Sequence, residues 1–124
     1  VRVLIIDDEA DIRRVARLSL ARVGGMEVLD APNGTEGARK AAAEVPDAIL
    51  LDVMMPGLDG PATLHALRAD PRTAAIPVVF LTAKAMPEEV ARLMAMGVRG
   101  VLNKPFDPMT LASQLRAALG PTHP

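Results

Sequence analysis

The chain has 124 residues, half of them hydrophobic, which is the size of one ordinary domain with one core. A formal net charge of −1 gives no general reason to expect binding to nucleic acid or to an anionic membrane. No apolar run approaches the roughly 18 residues of a membrane span, and no signal peptide is visible. The lack of cysteine excludes disulfides, thiol catalysis and cysteine metal sites, and fits a reducing cytosol.

In chain order, Val3 to Ile6 is an apolar run that ends in Asp7, Asp8 and Glu9. Ile12, Val15, Ala16, Ser19, Leu20 and Val23 then recur at helical spacing, with Arg13, Arg14, Arg17 and Arg22 largely off that face. Asp8, Glu9 and Asp11 open this helix, where acids suit the macrodipole, and Gly24-Gly25 stops it. Val28 and Leu29 form a short mixed strand. Ala38, Ala41, Ala42 and Val45 mark the inner face of a second helix, which Pro46 ends. Ala48 to Leu51 reads as a strand covered on both faces, with Asp52 at its end and a loop beyond it.

Gly60-Pro61 opens a third helix with Leu64 and Leu67 on its buried side, and Asp70-Pro71 closes it. Val78 to Leu81 is another continuous apolar strand, ending in Thr82. Pro87-Glu88-Glu89 starts a helix carrying Val90, Leu93 and Met94, with Gly97 as its cap. Val98 to Asn103 alternates weakly as a last strand, and Lys104-Pro105-Phe106 follows. Asp107-Pro108 predicts the N-cap and first turn of a helix carrying Leu111, Ala112, Leu115, Ala118 and Leu119. Residues 1–120 form the expected domain, and 121–124 a tail or the start of a linker.

Five strands alternating with five helices predict an α/β fold: one doubly wound (βα)5 domain with a parallel sheet. The strands ending in Asp7, Asp52 and Thr82 are apolar throughout, as central strands are, and the other two are mixed, as edges are. That fits the order 2-1-3-4-5 with right-handed crossovers. Its switch point lies between the first and third strands, where Asp7, Asp8 and Asp52 meet. Ligands of open parallel sheets bind there, outside the carboxyl ends of the strands.

A single Asp after a strand is usually a turn residue or cap, and an acidic run is usually a solvated helix start. Three carboxylates at one switch point are another matter, because they repel. A divalent cation resolves that repulsion, and hard oxygen ligands with open water positions suit Mg2+. An ionised aspartate beside such an ion is a nucleophile toward phosphorus. Lys104 would pair with an oxygen of the transferring group, and the Thr82 hydroxyl would donate to another.

The pieces IIDDE (5–9), LLDVMMPGLDG (50–60), FLTAK (80–84) and NKPF (103–106), in this order and spacing, make the chain resemble a response-regulator receiver domain, the flavodoxin-like, CheY-like phosphorylatable part of two-component signalling systems. The resemblance runs from Val1 to about Leu119. It implies that Asp52 accepts a phosphoryl group from the phosphohistidine of a sensor kinase or histidine phosphotransfer protein. It implies a Mg2+ site made of Asp8 directly, Asp7 mainly through water, Asp52 and the Met54 backbone carbonyl, with Thr82 and Lys104 contacting the phosphoryl group. The Lys104–Pro105 bond is expected to be cis. The resemblance also implies a cytoplasmic, phosphorylation-controlled switch rather than an enzyme, whose acyl phosphate is self-limiting. Its signal would pass from the face around the fourth helix, fifth strand and fifth helix to an output domain or downstream protein, without direct contact to nucleic acid or membrane.

Two positions depart from the family pattern. Val101 stands where receivers commonly carry Tyr or Phe, and Arg99-Gly100 stands where the winged-helix branch often has an acidic pair used in dimerisation. Val101 predicts that phosphorylation shifts mainly Met54 to Gly60 and Thr82 to Glu89, with output recognition resting on Glu88, Arg92 and Met96. Other readings fit less well. A haloacid-dehalogenase-type phosphatase wants Asp-x-Asp where this chain has Asp7-Asp8-Glu9. A flavodoxin-like FMN binder wants a phosphate-cradling first loop where this one is acidic. A pseudo-receiver never phosphorylated would not need Asp7, Asp8, Asp52, Thr82 and Lys104 all intact.

Overall fold

The computed structural model describes residues 1–120; the expected tail, 121–124, lies outside the described residues. In chain order the elements are β1 (Arg2–Ile6), α1 (Ala10–Leu18), a π-helical segment (Ser19–Val23), β2 (Glu27–Ala31), α2 (Gly34–Glu44), β3 (Ala48–Asp52), α3 (Gly60–Ala69), β4 (Val78–Thr82), α4 (Pro87–Met94), β5 (Gly100–Asn103) and α5 (Leu111–Leu119). The five strands are all parallel and lie in the order β2-β1-β3-β4-β5. The fold is the doubly wound α/β sheet that the alternation predicts.

Strand periodicity sorts the core into two layers. Val3, Ile5, Leu50, Val79 and Leu81 face one side, where Ala16, Leu20, Leu111, Ala112, Leu115 and Leu119 of α1, the π segment and α5 cover them. Leu4, Ile6, Ile49, Leu51, Val78 and Phe80 face the other, against Ala41, Leu64, Leu67 and Leu93 of α2, α3 and α4. Every residue of β3 and β4 is buried, and those of β5 are not, which separates central from edge strands as expected.

Four local expectations need correction. The first helix does not run regularly to Gly24. Its last turn widens into the π segment, closed by Gly24 N–H donating to Ser19 O at 3.3 Å. Ala16, Ser19 and Leu20 are buried, while Val15, in the regular part of α1, and Val23, at the end of the widened turn, are exposed. Val45 is not on the inner face of α2. It is the C-cap, in the left-handed region at φ 43° and largely exposed, where a β-branched residue is strained. On α4 it is Met94 that faces solvent and Met96, just beyond the helix, that packs against the core. Asp107 does not cap α5. Its side chain accepts from Met109 N–H at 2.9 Å and shapes a separate turn, and α5 begins only at Leu111 after Thr110.

Candidate functional site

The site is built where strands stop. Asp7 follows the last ladder residue of β1, Asp52 ends β3, Thr82 ends β4, and Lys104 follows β5. A parallel ladder aligns these ends on one edge, so residues scattered from 7 to 104 in sequence meet there. Backbone bonds then fix each turn. Asp7 N–H donates to Ala31 O at 3.2 Å, Val53 N–H to Leu81 O at 3.1 Å, and Lys104 N–H to Thr82 O at 2.8 Å. Beyond Asp52 the chain turns back through a loop whose end is closed by Gly60 N–H donating to Val53 O at 2.9 Å. Gly60 passes so close that a Cβ would lie 2.6 Å from the Asp52 carbonyl oxygen. No other residue fits there without moving Asp52. Asp59 completes the turn as N-cap of α3, its carboxylate accepting from Ala62 N–H at 2.9 Å.

The six sequence-predicted site residues occupy this one edge. Asp7, Asp52 and Thr82 are buried, and Asp8 is exposed. Carboxylate oxygens of Asp7, Asp8 and Asp52 all lie within 4.8 Å of one another. Lys104 reaches in from the β5 end. Its Nζ is 2.9 Å from Asp7 Oδ2, 3.3 Å from Asp52 Oδ2 and 3.3 Å from Glu9 Oε1. Only the Glu9 contact runs along a hydrogen-bond direction. Asp7 Oδ2 and Asp52 Oδ2 are therefore charge-compensated, yet neither accepts a hydrogen bond despite being buried. Two unsatisfied buried oxygens, with a third, exposed carboxylate in reach, make an all-oxygen donor set that suits a hard divalent cation such as Mg2+.

The electrostatics agree with that crowding. Burial, and then the neighbouring Asp7 charge, push the Asp52 carboxyl up to about 6; Lys104 offsets only part of this. Burial alone would lower the Lys104 ammonium, but Asp7 and Asp52 outweigh it and hold its pKa above the ordinary lysine value. Asp52 Oδ1 faces Met54 N–H at 3.4 Å, a long contact that leaves this carboxylate lightly held on both oxygens. Thr82 Oγ1 accepts from Lys84 N–H at 3.0 Å, which orients the hydroxyl oxygen in the β4–α4 loop. Met54 is exposed at the rim, beside an open depression of about 420 Å3 lined by Met54, Met55, Pro56 and Asp59. The Lys104–Pro105 bond is cis, as the NKPF resemblance implies.

Two residues of this edge escape a reading of the sequence. Glu9 is the third partner of Lys104; its place in the acidic run 7–9 is the one signal pointing to it. Arg13 donates from Nη1 to the Asp7 carbonyl oxygen at 2.8 Å, although helical spacing puts it off the buried face.

Comparison with known proteins places this geometry. Residues 3–116 match the response regulator receiver domain family. The chain is 36% identical over 122 residues to the phosphate regulon transcriptional regulatory protein PhoB of Pseudomonas aeruginosa, covering 98% of this chain and 53% of that protein. It is 32% identical over 120 residues to the chemotaxis protein CheY1 of Helicobacter pylori, covering 96% and 97%. The structure of the chemotaxis protein CheY4 of Vibrio cholerae superposes with a TM-score of 0.86 at 34% identity, over 94% of this chain and 97% of that one. The chain thus spans about half the length of the transcriptional regulators it matches and nearly all of the chemotaxis proteins. Fold, strand-end acids and matched residues agree: the chain belongs to the response regulator receiver domain family, the CheY-like domain of two-component systems.

Proposed function

We propose that Asp52 is the phosphoacceptor of this domain, taking a phosphoryl group from the phosphohistidine of a sensor kinase or a histidine phosphotransfer protein. The observation that carries this reading is the state of the Asp52 carboxylate: buried, lightly hydrogen-bonded, destabilised as a charge, and faced by a lysine. A carboxylate in that state caps no helix, and the lysine facing it offsets only part of its burial, which leaves it available to form a bond to phosphorus. In the transfer a new P–O bond forms to an Asp52 carboxylate oxygen, and the donor's P–N bond breaks. The imidazole leaves with the electron pair. Asp7, Asp8, Asp52 and the Met54 carbonyl would hold Mg2+, which when bound neutralises charge on the transferring oxygens. Lys104 shifts from its three carboxylate partners toward a phosphoryl oxygen, and Thr82 turns its hydroxyl proton toward another.

The domain is a switch and not a turnover enzyme. The acyl phosphate on Asp52 is reactive, and its hydrolysis limits the signal. The chain resembles both a chemotaxis protein that it covers almost entirely and the transcriptional regulator PhoB that it covers by about half, so the output lies either on a separate protein or on a further part of a longer chain. No helix among the described residues is long and apolar enough to cross a membrane, in keeping with partners met in the cytoplasm.

Acetyl phosphate with Mg2+, followed by mass spectrometry of the intact protein, tests the assignment. One added phosphate is expected, and none in Asp52→Asn. Undiminished labelling of that variant would move the acceptor elsewhere. Rapid catalytic release of phosphate without an adduct would favour a phosphatase, and no reaction would favour a receiver-like module that is never phosphorylated.

A further inference from the structure

We infer that Arg13 is a positioning residue for the divalent-cation site: it holds the Asp7–Asp8 turn through the Asp7 carbonyl, and Asp30 holds Arg13 in place. This rests on the reading of Asp7, Asp8 and Asp52 as the cation's ligands.

The turn after β1 carries two of the three acids, and it begins where the ladder ends. Strand pairing stops at Ile6, opposite Ala31 on one side and Leu51 on the other. Asp7 is fully buried, so its carbonyl oxygen needs a donor from elsewhere. Arg13 supplies it from the first turns of α1, with Nη1 2.8 Å from that oxygen. The same guanidinium turns Nε toward Asp30 Oδ2 on β2, at 3.5 Å. Asp30 is itself fixed: Arg17 Nη1 lies 3.5 Å from its other carboxylate oxygen, and Lys40 Nζ donates to its backbone carbonyl at 2.6 Å. Arg13 is largely buried in this arrangement, more so than Arg17. A planar fork that joins two fixed points holds one orientation, which the rotatable ammonium of a lysine would not.

Three contacts therefore define the turn. Its amide is on Ala31, its carbonyl is on Arg13, and Asp7 Oδ1 accepts from Glu9 N–H at 2.9 Å. Together they set the plane of the Asp7–Asp8 peptide. That plane decides where the exposed Asp8 carboxylate stands relative to the buried Asp7 and Asp52. Arg13 touches none of the three carboxylates among the contacts of the described residues; its hold is on the backbone. Lys104 is the opposite case, a cation that occupies the carboxylates themselves.

The sign of one measurement separates positioning from simple charge. Removing a cation near the site should tighten Mg2+ binding if charge alone matters. Removing a residue that aims the ligands should weaken it. Mg2+ titration by calorimetry and by amide chemical shifts is compared for the parent, Arg13→Met, Arg13→Lys and Arg17→Met. Arg13→Met is expected to bind about tenfold more weakly, and Arg13→Lys to fall between it and the parent. Arg17→Met removes one of the two holds on Asp30 but no contact with Asp7, so it is expected to lose clearly less affinity than Arg13→Met; a loss as large as that of Arg13→Met overturns the inference. Parent-like or tighter binding in a folded Arg13→Met overturns the inference. Should Arg13→Met fail to fold, Arg13→Lys decides, since it keeps the charge; parent-like affinity there overturns it as well. Absence of Mg2+ binding by the parent removes the ligand reading itself, and this inference with it.

Discussion

Asp52 carries a charge that the fold resists and that the proposed phosphoacceptor role uses. Its carboxyl titrates at about 6 in the folded chain and near its ordinary value of 3.8 in the unfolded one. Between those values the folded state binds more protons, so metal-free stability falls as pH rises through this window, by roughly 3 kcal/mol in all. Asp52→Asn should therefore be more stable than the parent in urea at pH 7.5 without Mg2+, and the gain should vanish near pH 4. An equal gain at both values would show that the strain is not in the charge. Lys104 works in the other direction. Its raised pKa means that its contribution is fully present below the unfolded lysine value and is lost only in alkali, so it leaves the acid-side window clear. Lys104→Met should cost on the order of 3 kcal/mol of metal-free stability, while binding Mg2+ several-fold more tightly, because the ammonium and the cation compete for Asp7 and Asp52. Calorimetry reads both effects. Weaker Mg2+ binding in that variant would mean that Lys104 organises the acids rather than occupying them.

At the scale of elements, β5 is the piece whose behaviour this chain alters. Val101 is opposite Phe80 in the ladder and half-buried against the layer that contains Leu93 and Val98. It has no ring to swing between an outer and an inner position. The start of the strand is also held by α5. Arg99 Nη1 donates to Leu119 O at 2.7 Å, and a Cβ on Gly100 would meet Ala118 Cβ at 2.8 Å, so α5 sits directly on the strand. Arg99 is thus engaged within the chain, where the winged-helix branch often has an acid. A beryllofluoride adduct should shift amides mainly in residues 54–60 and 82–89, with small changes at 100–103 and along α5. Largest shifts at Gly100 to Asn103 would show that β5 still transmits the signal without an aromatic lever. With β5 muted in this way, recognition by an output partner is expected to rest on Glu88, Arg92 and the exposed Met94 of α4. Met96, expected on that surface, packs inward, and Arg92 is already paired with Glu89.

For the whole molecule, the acid edge is a local instability that the proposed cation would remove. On the proposed reading Mg2+ would bind the folded chain and not the unfolded one, because only the folded sheet brings the carboxylates of residues 7, 8 and 52 together. Raising Mg2+ to about ten times its Kd should add about 1.4 kcal/mol to the unfolding free energy. The urea midpoint of the parent should rise accordingly, and that of Asp8→Ala should not. Asp8→Ala should also be no less stable than the parent without Mg2+, since one of three mutually repelling charges is gone. An equal Mg2+ response in the two proteins would place the cation elsewhere.

Fold and strand-end residues are legible along the chain, because both follow from local pattern. Continuous apolar runs mark β3 and β4 as central, and the residue that breaks each run, Asp52 or Thr82, stands at its carboxyl end whatever the helices do. What the sequence could not supply depends on how elements approach one another. Helical spacing put Val15, Val23 and Val45 on the apolar faces of their helices, and all three are exposed, as is the apolar Met94. A π segment rotated the end of one helix, a left-handed cap ended another, and Met94 lies on the solvent side of α4. Glu9 and Arg13 read as ordinary charges at the start of a helix. Only the docking of α1 against β1 and β2 gives Arg13 the Asp7 carbonyl on one side and Asp30 on the other. Only the parallel register of β5 against β4 swings Lys104 across to Asp7, whose place in the chain is 97 residues away. Pattern is a property of neighbours in sequence, whereas a charged group's partners are set by the packing of the sheet.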